Sequence, residues 1–82
     1  MTIKKPLAIK QPEVGRIIRD LRLAFGLTQE QFAAQLGVTY STINRWENGR
    51  SKPSPLAMEK IEGMLEKMGA QGQDLLAKYL PN

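Results

Sequence analysis

The stretch from Leu27 to Arg50, LTQEQFAAQLGVTYSTINRWENGR, constrains the fold more than any other part of the chain. Thr28 is a good helix N-cap, and Gln31 three residues on completes a capping box in which each side chain satisfies the other's unpaired backbone donor. Thr39 opens a second helix in the same way. Apolar residues before each cap and inside each helix, Leu27 with Phe32 and Val38 with Ile43, form two hydrophobic staples that fix how the chain enters each helix. Between them the connection Leu36, Gly37, Val38 holds a single glycine. That residue is free to take the left-handed backbone that ends one helix and lets the next leave at a steep angle. Asn48 and Gly49 end the second helix.

Flanking patterns extend this pair. Val14, Ile17, Ile18, Leu21 and Phe25 follow the spacing of one helix face, which predicts a first helix from about Glu13 to Phe25 that stops at Gly26. After the loop Lys52, Pro53, Ser54, the serine caps a fourth helix with Pro55 at its first position, where a missing N–H costs nothing. Its apolar face is Leu56, Met58, Ile61, Met64, Leu65 and Met68. Beyond Gly69 and Gly72, Leu75, Leu76, Tyr79 and Leu80 form a last short amphipathic segment. The expectation is an all-α chain of five helices: an extended or mobile basic arm over residues 1–12, a helix-turn-helix domain over 13–68, and a helical segment over 69–82 that completes the core or makes a dimer contact. Eighty-two residues lie near the lower limit for a single unassisted core, so marginal stability or a dimer is expected.

The chain has no cysteine and no histidine, which removes disulfides, thiol nucleophiles, the usual zinc ligands and the commonest general base. No phosphate-cradling glycine motif occurs, and Glu59, Glu62 and Glu66 beside Lys60 and Lys67 read as a solvated helix face. Enzyme activity, catalytic residues, a metal, a cofactor and a small-molecule substrate are therefore not expected. No apolar run approaches the roughly 18 residues of a membrane span, and the opening residues lack a secretory apolar core. A cytoplasmic protein with no membrane partner is the expectation. The net charge of +4 is uneven: nine basic and four acidic side chains up to Lys52, three and four after it. A polyanion is drawn to the first two-thirds. Lys4, Lys5 and Lys10 make the arm either a solvated tail or a phosphate grip.

With Ile43 facing the core, helical rotation brings Trp46 and Glu47 near the core side. Ser41, Asn44, Arg45 and Asn48 then point outward, with Tyr40 on the flank. Such a face is a solvated surface or a reader of bases. Arg45 matches guanine O6 and N7, Asn44 matches adenine N6 and N7, and Ser41 suits a base or a phosphate. Phosphate contacts fit Thr28 and Gln29 at one helix N-terminus and Asn48, Arg50 and Lys52 after the other helix.

A Thr-Gln helix opening, an internal alanine, a turn glycine and an acidic residue followed by Asn-Gly and a basic residue occur at Thr28, Gln29, Ala33, Gly37, Glu47, Asn48, Gly49 and Arg50. This pattern resembles the small phage-repressor and Cro-type helix-turn-helix proteins, the XRE family, over roughly Val14 to Leu65. The resemblance implies a five-helix lambda-repressor-like domain whose helices 2 and 3 form the helix-turn-helix. It also implies helix 3 in the major groove of double-stranded DNA, bases met by Tyr40, Ser41, Asn44 and Arg45, Gln29 on phosphate, and a structural ion pair between Arg22 and Glu47. Tyr40 departs from the pattern: several relatives carry an adenine-reading glutamine there, and tyrosine cannot make that two-bond contact. Trp46 stands where smaller aliphatic residues also occur; it packs in the core, or brings its indole N–H to the DNA backbone.

The resulting expectation is a sequence-specific transcription regulator, a repressor, bound as a homodimer to half-sites about one helical turn apart. Leu65, Met68, Leu75, Leu76, Tyr79 and Leu80 are its candidate interface. The alternatives are an antitoxin that binds a partner toxin as well as its promoter, and a protein-binding adaptor that keeps the fold.

Overall fold

Short polar caps decide where the helices begin. In a computed structural model, which describes residues 9–79, five helices follow in order and the described residues hold no strand. They are α1 (Glu13–Ala24), α2 (Gln29–Leu36), α3 (Tyr40–Glu47), α4 (Pro55–Lys67) and α5 (Ala70–Tyr79). The capping box before α2 forms in full: Gln31 N–H donates to Thr28 Oγ1 at 3.1 Å and Thr28 N–H donates to Gln31 Oε1 at 2.9 Å. Thr39 accepts from Thr42 N–H at 3.2 Å, and Ser54 accepts from Ala57 N–H at 3.2 Å. Gly37, at φ +71°, ends α2 and lets Val38 N–H return to Ala33 O at 3.0 Å. The turn is therefore closed by the backbone.

The core gathers Val14, Ile17, Ile18 and Leu21 from α1, Phe32, Ala33 and Leu36 from α2, Ile43 and Trp46 from α3, Ala57, Ile61 and Leu65 from α4, and Leu75 from α5. Leu27 and Val38 pack half-buried against it, as their staple roles require. α1 packs on α3 and α5, α2 on α3, and α4 on α5. The fifth helix is also tethered, since Tyr79 O–H donates to Asp20 Oδ2 at 2.6 Å and Lys78 Nζ lies 3.2 Å from the same oxygen.

Four features differ from the sequence reading. Phe25 is 42% exposed: α1 ends at Ala24, and the chain leaves the helical path at the C-cap, so the residue misses the stripe that Leu21 closes. Leu56 is 63% exposed, because Ala57, Ile61 and Leu65 share the buried stripe of α4 and Leu56 lies about 100° away from it. Gly72 does not break the chain but sits inside α5, where an added Cβ would strike the Leu65 carbonyl and 3.3 Å from Met68 Cβ. That glycine is the point where α5 approaches α4.

The fourth difference concerns the arm. Residues 1–8, with Lys4 and Lys5, lie outside the described residues, but Ile9 packs half-buried against the core and Gln11 is held by three hydrogen bonds. Gln11 Nε2 donates to Trp46 O at 3.0 Å and Ser51 O at 2.6 Å, while its Oε1 accepts from Gly15 N–H at 3.0 Å. Pro12 offers α1 no side-chain cap, and the amide before it supplies one. One side chain thus joins the start of α1 to the end of α3. Among the described residues, no helix is long and apolar enough to cross a membrane.

Candidate nucleic-acid interface

Helix α3 is held from beneath by Ile43 and Trp46, which are 0% and 4% exposed. Core packing is therefore what the structure assigns to the Trp46 ring. Rotation about the helix then places Tyr40, Ser41, Arg45 and Asn48 in solvent, with Asn44 half-buried on the side facing α2. The four candidate readers and their neighbour Asn48 fall on one face, and no carboxylate lies among them. Ser41 Oγ is 3.2 Å from the Thr39 hydroxyl that caps the helix, so its orientation is tied to the cap. Arg50 and Lys52 are exposed in the turn that follows, where Gly49 at φ +75° reverses the chain.

The carboxylate of α3 is turned inward. Glu47, with a side chain 6% exposed, meets Arg22 of α1 in two parallel bonds, Nε to Oε2 at 2.7 Å and Nη2 to Oε1 at 3.1 Å. Arg22 Nη1 donates further to Leu27 O at 2.9 Å. The hydrogen bond to Glu47 raises the Arg22 pKa above its ordinary value; burial opposes this, and the charge of Glu47 adds to it. The pair implied by the resemblance is thus formed, and it ties α1, the entry to α2 and the end of α3 together. It also cancels the one negative charge on α3 that would repel phosphate. Because desolvation offsets much of the attraction, its main contribution is register.

A chain of amides leads outward from this pair. Gln29 Nε2 donates to Glu47 Oε1 at 3.1 Å, Asn44 Nδ2 to Gln29 Oε1 at 3.4 Å, and Asn48 Nδ2 to Asn44 Oδ1 at 3.0 Å. Gln29, read from the sequence as a phosphate contact, is half-buried and engaged at both ends of its amide by protein. Thr28 remains exposed beside it, although its hydroxyl already accepts the capping bond. The structure therefore brings the candidate readers together and joins the N-terminus of α2 to them through Gln29. Arg50 and Lys52 follow α3 in solvent, and Arg50 N–H donates to Arg45 O at 2.8 Å. Sequence reasoning missed Gln11 and the inward turn of Gln29; neither leaves a local pattern, because their partners are remote in sequence.

The dimer candidates divide. Leu65 and Leu75 are spent in the core, Met68, Leu76 and Tyr79 are half-buried against it, and Leu80 lies outside the described residues. Among the described residues, no group of three His, Cys, Asp or Glu is placed to hold a metal ion.

The sequence profile described as Helix-turn-helix matches residues 18–67, which include α2, α3 and the turn between them. The chain belongs to the XRE-type helix-turn-helix family. An uncharacterized HTH-type transcriptional regulator of Archaeoglobus fulgidus is 33% identical over 66 residues, covering 79% of this chain and 29% of that protein. A second, from Methanothermobacter thermautotrophicus, is 44% identical over 45 residues, covering 55% of this chain and 65% of the relative. A type II methyltransferase of Lactococcus lactis, M1.ScrFI, is 36% identical over 52 residues, or 60% of this chain and 13% of the enzyme. The chain spans less than two-thirds of the length of each of these relatives. No solved structure gives a significant match.

Proposed function

We propose that this helix-turn-helix chain is a sequence-specific, non-enzymatic DNA-binding regulator of transcription that lays α3 in the major groove. The observation that carries the reading is the outward face of α3, where Tyr40, Ser41, Asn44, Arg45 and Asn48 stand together while Glu47 is turned inward and neutralised by Arg22. Tyr40, Ser41, Asn44 and Arg45 meet base edges. Thr28, Asn48, Arg50 and Lys52 meet phosphate, and Gln29 reaches phosphate only with the second N–H of its amide. Relatives named as transcriptional regulators support the same assignment.

One recognition helix touches too few base pairs for useful selectivity, so the working form is a homodimer on two half-sites about one helical turn apart. The likeness to phage repressors favours repression, in the cytoplasm where the promoter DNA is. Selection of bound sites from random duplexes at two salt concentrations tests the reading. It predicts an enriched motif with two-fold symmetry and binding that weakens as salt rises. Recovery of no motif defeats sequence-specific reading, and a motif without a repeated half-site defeats the dimer.

A further inference from the structure

Charge gives a direction to the amide chain that ends on the reading face. An ionised carboxylate only accepts hydrogen bonds, so Gln29 has one orientation open to it at Glu47, with Nε2 toward Oε1 at 3.1 Å. Its carbonyl is thereby aimed at Asn44, which presents Nδ2 at 3.4 Å. Asn44 Oδ1 then accepts from Asn48 Nδ2 at 3.0 Å. Reversing any one amide sets oxygen against oxygen or N–H against N–H. Every orientation along the chain therefore follows from the charge on Glu47, which the two-bond pairing with Arg22 holds in place.

After these bonds Asn44 keeps one N–H and one lone pair, in a fixed spatial order. That order matters in the major groove. Across the major groove an A·T pair presents adenine N7 and N6–H, then thymine O4 and methyl, and T·A presents the same groups in reverse. The place where one pair offers N7 and N6–H is therefore where the other offers methyl and O4. An amide held with its N–H toward N7 and its oxygen toward N6–H makes two bonds to the first pair and sets oxygen against O4 in the second, whereas an amide free to turn over recovers one bond to that O4.

We infer that Glu47, acting through Gln29, is a positioning residue that locks the Asn44 amide in a single sense, so that the protein distinguishes A·T from T·A at the base step Asn44 meets. The inference rests on the proposed reading of bases by α3. It assigns Gln29 to specificity, in addition to any phosphate contact, and it makes the ion pair part of the recognition apparatus as well as of the fold.

The test begins with site selection by the wild-type protein and by Asn44→Ala, which identifies the step that Asn44 reads. Competition binding then uses duplexes that differ only by A·T or T·A at that step. The wild-type protein is expected to prefer one orientation by about tenfold, the size of a good two-bond base contact. Gln29→Met cuts the amide chain while leaving Arg22 and Glu47 paired, and should reduce that preference to about threefold, because a turned amide recovers one of the two bonds. Glu47→Gln, whose side chain can present either oxygen or N–H to Gln29, should do the same. Because Glu47→Gln also weakens the tie to Arg22, Gln29→Met decides the matter if the first variant fails to fold. An unchanged orientation preference in Gln29→Met, with all duplexes weakened alike, makes Gln29 a phosphate contact alone and overturns the inference. So does an Asn44→Ala protein that relaxes no step. A wild-type protein that selects no motif overturns the proposed function and this inference together, whereas the preceding two outcomes leave sequence-specific reading by α3 standing, the second of them removing Asn44 from its readers.

Discussion

Gly15 and Gly63 both lie inside helices, and replacing each with alanine should move stability in opposite directions. Helix propensity alone favours alanine at either place by roughly 0.8–1 kcal/mol. At Gly63 in α4 an added Cβ meets nothing within 4 Å, so that gain is realised, raising the melting temperature by about 4–8 °C. At Gly15 the Cβ would collide with the Trp46 carbonyl oxygen and lie 3.2 Å from the Glu47 carbonyl oxygen and 3.1 Å from Gln11 Oε1. Two of those three neighbours are backbone at the end of α3 and cannot step aside.

Relief at Gly15 requires α1 to back away from α3, an overpacking cost of about 1–3 kcal/mol. It also requires Gln11 to give way, which weakens bonds contributing about 0.5–1.5 kcal/mol each. Against the propensity gain, Gly15→Ala should be destabilising by about 1–3 kcal/mol, lowering the melting temperature by roughly 4–24 °C. Thermal and urea denaturation followed by circular dichroism, at one fixed protein concentration, measures both variants. If Gly15→Ala stabilises the protein as much as Gly63→Ala does, α1 does not rest on the last turn of α3.

Arg22→Met leaves the Glu47 carboxylate without its cation and should cost about 3 kcal/mol in urea denaturation, with Arg22→Met/Glu47→Leu recovering most of it; a loss below about 1 kcal/mol would mark the pair as solvent-screened. Arg45→Ala should relax preference at one base step at a cost of about 1–3 kcal/mol, while Lys52→Ala should weaken all duplexes alike and reduce the salt slope by about one. Identical behaviour of those two variants refutes the division between readers and phosphate contacts. The hydrogen bond to Asp20, with burial and the charge of Asp20 adding to it, raises the Tyr79 phenol above its ordinary pKa. A raised folded-state value means that its contribution is complete below the unfolded value of about 10 and is lost as pH rises through the folded one. Melting temperatures between pH 8 and 11 should therefore fall less steeply for Tyr79→Phe than for the wild-type protein, and parallel curves contradict the tether. Tyr40→Gln, at a side chain 52% exposed, should change the selected base at one step while altering stability by no more than about 0.5 kcal/mol. An unchanged motif removes Tyr40 from the readers.

What the sequence made legible is what local chemistry controls. Thr28 with Gln31, Thr39 and Ser54 find their partners three residues away, so their caps could be placed without a structure. Gly37 and Gly49 were legible for the same reason, since a left-handed turn is a property of one residue. Gln11 was not, because its amide reaches carbonyls 35 and 40 positions on. Nor were Gly15 and Gly72: a pattern of residues shows a poor helix former, whereas the close approach that demands glycine belongs to the packing of two helices. Phe25 and Leu56 were misplaced where helical phase is least constrained, at the last and first turns. At the site, rotation about α3 sorted outward from inward correctly, but the pairing of Arg22 with Glu47 came only through likeness to a family. The capture of Gln29 by that pair had no signal in either source.

An eight-residue helix such as α3 has no stability of its own, so whatever orients it comes from its neighbours. Those neighbours act unequally along its length. Gln11 and Gly15 meet the carbonyls of its last turn, and Arg22 grips the side chain of Glu47, all three on or just before α1. The first turn has the Thr39 cap, and Ile43 follows in the core, while Tyr40 and Ser41 stand in solvent. Constraint thus falls from the C-terminal end of α3 toward its N-terminal end. Readers near the clamp, Asn44 foremost, are held in place by bonds that also support the fold, so substitutions behind them change stability and recognition together. Tyr40 lies beyond the clamp, and base preference there can change with little effect on folding. One end of the reading helix is thus also a structural joint, and the other is only a surface.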